Sequence, residues 1–164
     1  MDQTEYNTIV QTYSKNIYRF LNKSVKDPEC VKDILQDTFL KFWQHRNNIE
    51  IVKAKSWLFV TAYRFMLKLI KQRKLYVSID HLTEEIQFTN NSASANFNIK
   101  ETIDKCLDTL PVIQKNIILL RDLEGYNYKE IGDILQLSEE QVKVYLFRGR
   151  QKIKNQIKSI HHLL

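Results

Sequence analysis

Apolar residues recur at steps of three and four along most of this chain, with polar residues between them, which is the period of an amphipathic helix. Tyr6, Ile9, Val10, Tyr13, Ile17, Phe20 and Leu21 predict a first helix over residues 4–22. Lys26-Asp27-Pro28 breaks it, and Asp27 is placed to cap a second helix, Pro28–His45, whose first residue is Pro28. Val31, Ile34, Leu35, Thr38, Phe39 and Phe42 point that helix toward a core, while Asp33, Gln36, Asp37 and Lys41 fall on other faces. A loop over 46–55 leads to a third long helix over 56–74. On it Leu58, Ala62, Phe65, Met66 and Leu69 form one side, and Trp57, Thr61, Arg64, Lys68 and Lys71 line the opposite one.

The helical period lapses over 76–98, a stretch that turns locally acidic at Asp80, Glu84 and Glu85 and passes through TNNSASAN. That composition suits a flexible connector. Beyond it, a short helix over 99–109 carries Ile103 and Leu107 inward, Leu110-Pro111 marks a break, and a helix over 112–123 carries Ile113, Ile117 and Leu120. Gly125 tolerates the left-handed conformation that ends a helix. Two more helices follow around a tight turn. The first ends near Gln136, and Ser138 with Gln141 forms a capping box that starts the second. Only three Gly and two Pro among 164 residues argue against a many-stranded fold. The expected fold is all-α: two small helical domains, 1–75 and 99–164, joined by a flexible linker over 76–98, the second a four-helix unit ending in a helix-turn-helix.

Charge adds a partner class. The formal net charge is +6, which suits a polyanion such as nucleic acid, or an anionic membrane. Residues 1–75 carry 14 basic and 7 acidic side chains, whereas 101–164 carry 10 and 9. In the second domain the cations therefore collect on the last helix, where six Lys or Arg follow Gln141 with no acid among them. In the first, Lys53, Lys55, Arg64, Lys68, Lys71, Arg73 and Lys74 run without an acid and interleave with Trp57, Phe59 and Tyr63. Cations for phosphates and flat rings for unstacked bases are what a single-strand surface requires. Cys30 and Cys106 have no further Cys or His at ligand spacing, so no metal, cofactor or disulfide framework is expected. The N-terminal residues lack the pattern of a signal peptide and no segment approaches membrane-spanning length, so a cytoplasmic protein, not itself a membrane protein, is expected.

Taken together, the motifs resemble the extracytoplasmic-function sigma factors, a two-domain group of bacterial transcription initiation factors. DILQDTFLKFW (33–43) is similar to the family's polymerase-clamp helix, WLFVTAYRFMLKLIKQRK (57–74) to its promoter-melting and −10-reading helix, and residues 110–154 to its −35-binding domain. The resemblance implies an initiation factor without enzymatic activity that directs promoter-specific transcription. Its implied −35 contacts are Lys143, Val144, Phe147 and Arg148, with Arg150, Lys152 and Tyr128 on the DNA backbone. Its implied −10 contacts are Trp57, Thr61, Arg64, Lys68, Lys71, Lys53 and Lys55, with the loop over 47–55 holding a flipped base. Asp33, Gln36, Asp37 and Lys41 would meet core RNA polymerase at its clamp coiled coil, the flap being the other polymerase contact. A membrane-bound anti-sigma factor is the implied regulator. The chain departs from the family pattern at Arg64, where Asn is common, at Gly149, where Ala is common, and at Val144, where Ser is frequent and only an apolar contact, such as a thymine methyl, remains. An autonomous helix-turn-helix regulator is the alternative function, and a metal-dependent nuclease built on Asp33 and Asp37 a weaker one.

Overall fold

The structure, a computed structural model, describes residues 1–80 and 99–161. Helix α1 (Gln3–Val25) starts at Asp2, whose carboxylate accepts from the Glu5 amide while the Glu5 carboxylate accepts from the Asp2 amide. This reciprocal cap satisfies two orphan amides and contributes about 1 kcal/mol. Helix α2 (Pro28–His45) begins as expected, with the Asp27 side chain accepting from the Cys30 amide and Pro28 in the first turn. The expected loop holds two 3₁₀ turns, Arg46–Asn48 and Ile51–Lys53. Helix α3 (Ala54–Asp80) exceeds the expected 56–74 at both ends. Ala54 is fully buried and fixes the earlier start, and residues 75–80 contain no Gly or Pro to stop the helix. The rest of the expected connector, 81–98, lies outside the described residues.

These three helices close over Ile17, Phe20 and Leu21 from α1, Val31, Ile34 and Phe42 from α2, and Leu58, Ala62 and Met66 from α3, all buried. The second unit is built from α4 (Ile99–Asp108), α5 (Val112–Ile118), a π-helical turn (Leu119–Leu123), α6 (Tyr128–Leu135) and α7 (Glu139–His161). The continuous helix expected over 112–123 thus widens at Leu119. There the Glu124 amide donates to the Leu119 carbonyl at 3.1 Å, the wider i→i+5 pattern. Gly125 follows at φ +74, in the left-handed region that favours glycine. Leu107, Ile117, Leu120, Ile131, Ile134, Val142 and Leu146 form this unit's core. Ile103, expected inward, is instead 40% exposed; it borders an open groove between the two units.

The helix-turn-helix is fixed by caps and by one close approach. Asn127 and Glu130 cap each other's amides at the start of α6, and Ser138 and Gln141 do so at the start of α7. Gln136 takes the left-handed conformation at φ 59 and turns the chain. A Cβ on Gly132 would sit 2.6 Å from the Leu137 carbonyl oxygen, a backbone atom with nowhere to go. Gly149, by contrast, faces a side chain: its Cβ would meet the Ile118 Cδ1 at 2.8 Å, so the departure from the family's Ala has a packing cause at the α5–α7 crossing.

These two glycines should respond differently to alanine. Gly132→Ala is expected to destabilise the domain by about 2 kcal/mol or more, because the turn must open. Gly149→Ala should stay within about 1 kcal/mol of wild type, since Ile118 can rotate its end methyl away and alanine gains up to about 1 kcal/mol of helix propensity. Urea unfolding followed by circular dichroism measures both.

Candidate nucleic-acid and polymerase interfaces

Along α2, Asp33, Gln36, Asp37 and Leu40 repeat at the spacing of one helical face, and all four are exposed. Neither carboxylate has an ion pair among the described residues. Leu40 is 56% exposed, an apolar side chain among acids that the sequence reading passed over. Its place on the same face as Asp33 and Asp37 was the signal available. Lys41 lies to one side, with its ammonium 5.5 Å from the centre of the Phe65 ring.

The residues expected at −10 DNA, on α3 and the turn before it, separate into two groups. Arg64, Lys68 and Lys71 are exposed and unpaired among the described residues. The others are engaged or covered. Lys53 pairs with Glu50 at 3.0 Å, Trp57 packs on Phe42 and His45, and Thr61 is buried. The ammonium of Lys55 stands 4.0 Å from the centre of the Tyr126 ring, a cation–π contact with the second unit. Phe59 and Tyr63, expected as rings interleaved with charge on an open surface, are buried. Phe59 lies between Phe20 and Tyr126, 5.9 and 5.0 Å between ring centres, and Tyr63 lies beside Asn116. An amphipathic helix needs one covered side; α3 has a second because the helix-turn-helix unit packs on it. At the head of α3 a cleft of about 210 Å³ opens among His45, Asn48, Ile49, Glu50, Lys53 and Trp57.

On α7, Val142, Leu146 and Gly149 are buried, and Lys143, Val144, Phe147, Arg148 and Lys152 are exposed. Arg150 is also exposed but committed, bonded through Nε and Nη2 to Asp122, which raises its pKa. Tyr128 is half-buried, with Arg121 and Lys143 cations over its ring at 4.8 and 5.7 Å. Gln151 shares the open arc with Val144 and Phe147 and was missed; laying the helix out by angle would have found it. Glu140, at the start of the same helix, is held ionised below its ordinary pKa by its own amide and then by the Ser138 hydroxyl, and so belongs to the cap.

The two units meet along α1 in a row of opposite charges. Arg19 donates to Glu124, Lys23 pairs with Asp104, and Lys26 pairs with Asp108. Asn16 adds a bond to Glu124, and Ser24 donates to Asn116. Burial would raise the Asp108 pKa, but hydrogen bonds from Lys115 and Lys26 outweigh it and hold the carboxyl below its ordinary value.

Residues 9–76 match the family described as sigma-70 region 2, and residues 100–153 match sigma-70, region 4. The chain is 32% identical over 148 residues to the ECF RNA polymerase sigma factor SigM of Bacillus subtilis (strain 168), covering 89% of this chain and 91% of that one. This chain belongs to the ECF RNA polymerase sigma factors. Its identity to the sigma factor SigX of the same organism is 26% over 175 residues, covering 100% of this chain and 89% of that one. In fold, this sigma factor is similar to the sigma factor RpoE in its complex with the anti-sigma factor NepR from Bartonella quintana, with a TM-score of 0.77, 18% identity, and coverage of 93% of this chain and 96% of that one. It is similar also to CnrH in complex with the cytosolic domain of CnrY, with a TM-score of 0.72, 17% identity, and coverage of 96% and 90%.

For this sigma factor the charged seam along α1 adds to the packing of Tyr126 on Phe59 between regions 2 and 4. Arg19→Glu combined with Lys23→Glu should expand the protein, read as a larger radius of gyration in small-angle X-ray scattering, whereas Lys152→Glu should leave it unchanged. Because the Asp108 carboxyl is held low, its contribution is complete above the ordinary carboxylate pKa and is lost as the pH falls through the lowered value. The wild-type protein should therefore expand on acidification below about pH 4, and Asp108→Asn should remove that part of the pH dependence.

Proposed function

We propose that this sigma factor docks on core RNA polymerase through the open face of α2, holds the melted −10 strand on α3 and the turns before it, and reads the −35 duplex with α7. Unpaired charge of matching sign on three separate surfaces carries this reading. Asp33, Gln36 and Asp37 suit a basic coiled coil, and Leu40 adds exposed apolar area to the same face. Arg64, Lys68 and Lys71 suit the phosphates of a single strand, and the cleft beside Trp57 suits an unstacked base turned out of the helix. Lys143 and Arg148 flank the open arc of α7, where a recognition helix meets the major groove. Arg64, standing where the family commonly has Asn, serves a phosphate.

In this reading residues 1–75 are the first grip, 99–164 the second, and 76–98 the tether. Each contact is weak alone and becomes sufficient when the other is already made. The chain acts by binding and positions DNA for chemistry that the polymerase performs, in the cytoplasm. Its regulator is an anti-sigma factor, the class of partner that the solved relative RpoE carries. The groove between the two units, about 1410 Å³ with Ile103, Leu107, Leu123, Ile153 and Ile157 along it and Lys15, Lys154 and Lys158 in its lining, suits an amphipathic helix with an acidic flank.

Two substitutions should separate these roles. Arg148→Ala is expected to lower transcription from a −35-dependent promoter by about 5- to 100-fold while core affinity holds. Asp37→Ala should weaken core binding and leave the promoter preference of the assembled holoenzyme as it was. Reconstituted transcription beside a core-binding titration reads both, and loss of core binding in Arg148→Ala would overturn the assignment of α7.

A further inference from the structure

The open face of α7 is flanked by cations but centred on apolar side chains. At 3.6 residues per turn, the order across that face is Lys143, Phe147, Gln151, Val144, Arg148, with Gln151 one turn beyond Phe147 along the helix, opposite the buried Val142, Leu146 and Gly149. Phe147 is 64% and Val144 45% exposed, and neither makes a ring contact among the described residues. Core overflow does not explain them, since the inward positions of α7 are already filled. Nor is their placement loose. The capping box at Ser138 fixes the helix start, and Phe147 sits at the edge of a shallow cleft shared with Tyr128 and Lys143.

Across a major groove the centre of a recognition helix meets base edges, and its flanks meet phosphates. Base edges there present donors, acceptors and one apolar feature, the C5 methyl of thymine. A valine offers nothing to a donor or acceptor, and would strip water from a G·C edge without replacing the lost hydrogen bonds. Attraction to the methyl and rejection of the polar edge therefore favour the same base.

We propose that Val144 and Phe147 form an apolar step that selects thymine methyl groups in the −35 element, which rests on α7 being the −35 helix. Val144, nearer the start of the helix, takes the deeper contact, and Phe147 covers the adjoining base. The frequent family Ser at the valine position would offer a hydroxyl to either strand, so the step narrows the promoters this chain accepts.

The test uses holoenzyme assembled with core RNA polymerase. A −35 duplex is first selected from a randomised pool, and each thymine in it is then replaced by deoxyuridine, which keeps the base pair and removes only the methyl. Affinity is expected to fall about three- to fivefold at one or two positions, the effect of removing one buried methyl. At the position that Val144 contacts, the replacement should be silent in Val144→Ser and should keep its effect in Lys143→Ala, with circular dichroism showing both variants folded. A clear −35 preference with a flat deoxyuridine series overturns the apolar step. Absence of any −35 preference overturns instead the assignment of α7 on which the step rests.

Discussion

The relative placement of the two halves turns on Tyr126. Gly125 reverses the chain in a left-handed conformation and delivers the ring into a slot between Phe59 and the ammonium of Lys55. The side chain is 1% exposed, and burial, with Glu124 and Glu130 nearby, raises its pKa. From this point the seam spreads outward along α1 as paired charges rather than as further core. The interface is therefore mixed: the buried Tyr126 and Phe59 rings hold regardless of ionic strength, whereas the surface ion pairs around them are each worth less than about 1 kcal/mol and are screened by salt. The seam is accordingly built to be separable, as inter-domain contacts within one chain commonly are.

What was legible in the residues was local. The periodicity of residues 4–45, the Asp27-Pro28 start, the Gly125 stop and the Ser138 box each arise from a few neighbouring residues, and each is in the structure where those residues put it. What escaped depends on distant partners. Phe59 and Tyr63 fall to one side of α3's own apolar stripe; they are covered because a unit some 60 positions later in the chain packs on them. The widening at Leu119 had no local marker either, since the register of 112–123 reads as one helix until the Gly125 turn is fitted against α6. Ile103 is the converse case, an apolar residue at correct core spacing that faces a groove instead.

The same distinction sorts the charges. Arg19, Lys23, Lys26 and Arg150 are as basic in the sequence as Arg64, Lys68 and Arg148, and composition treats them alike. In the fold the first four are neutralised by Glu124, Asp104, Asp108 and Asp122, while the second three have no ion-pair partner among the described residues. A field that attracts DNA is produced by the unneutralised set, so the near-neutral balance of region 4 is compatible with a strongly positive α7. Of its acids, Asp104, Asp108 and Glu124 meet the seam, Asp122 meets Arg150, Glu101 pairs with Lys105, and Glu130 and Glu140 belong to helix caps.

A cost follows for region 2. Covering Phe59 and Tyr63 and engaging Lys55 removes three of the groups expected from the sequence to serve a single strand, while Lys143, Val144, Phe147 and Arg148 stay open in the same arrangement. In the proposed reading the two grips are therefore unequal: the α7 side chains assigned to the duplex are exposed as folded, whereas those assigned to the single strand are partly covered by region 4. The ion pairs along α1 are the part of this contact that salt and competing polyanions weaken, while the packing of Tyr126 on Phe59 is not.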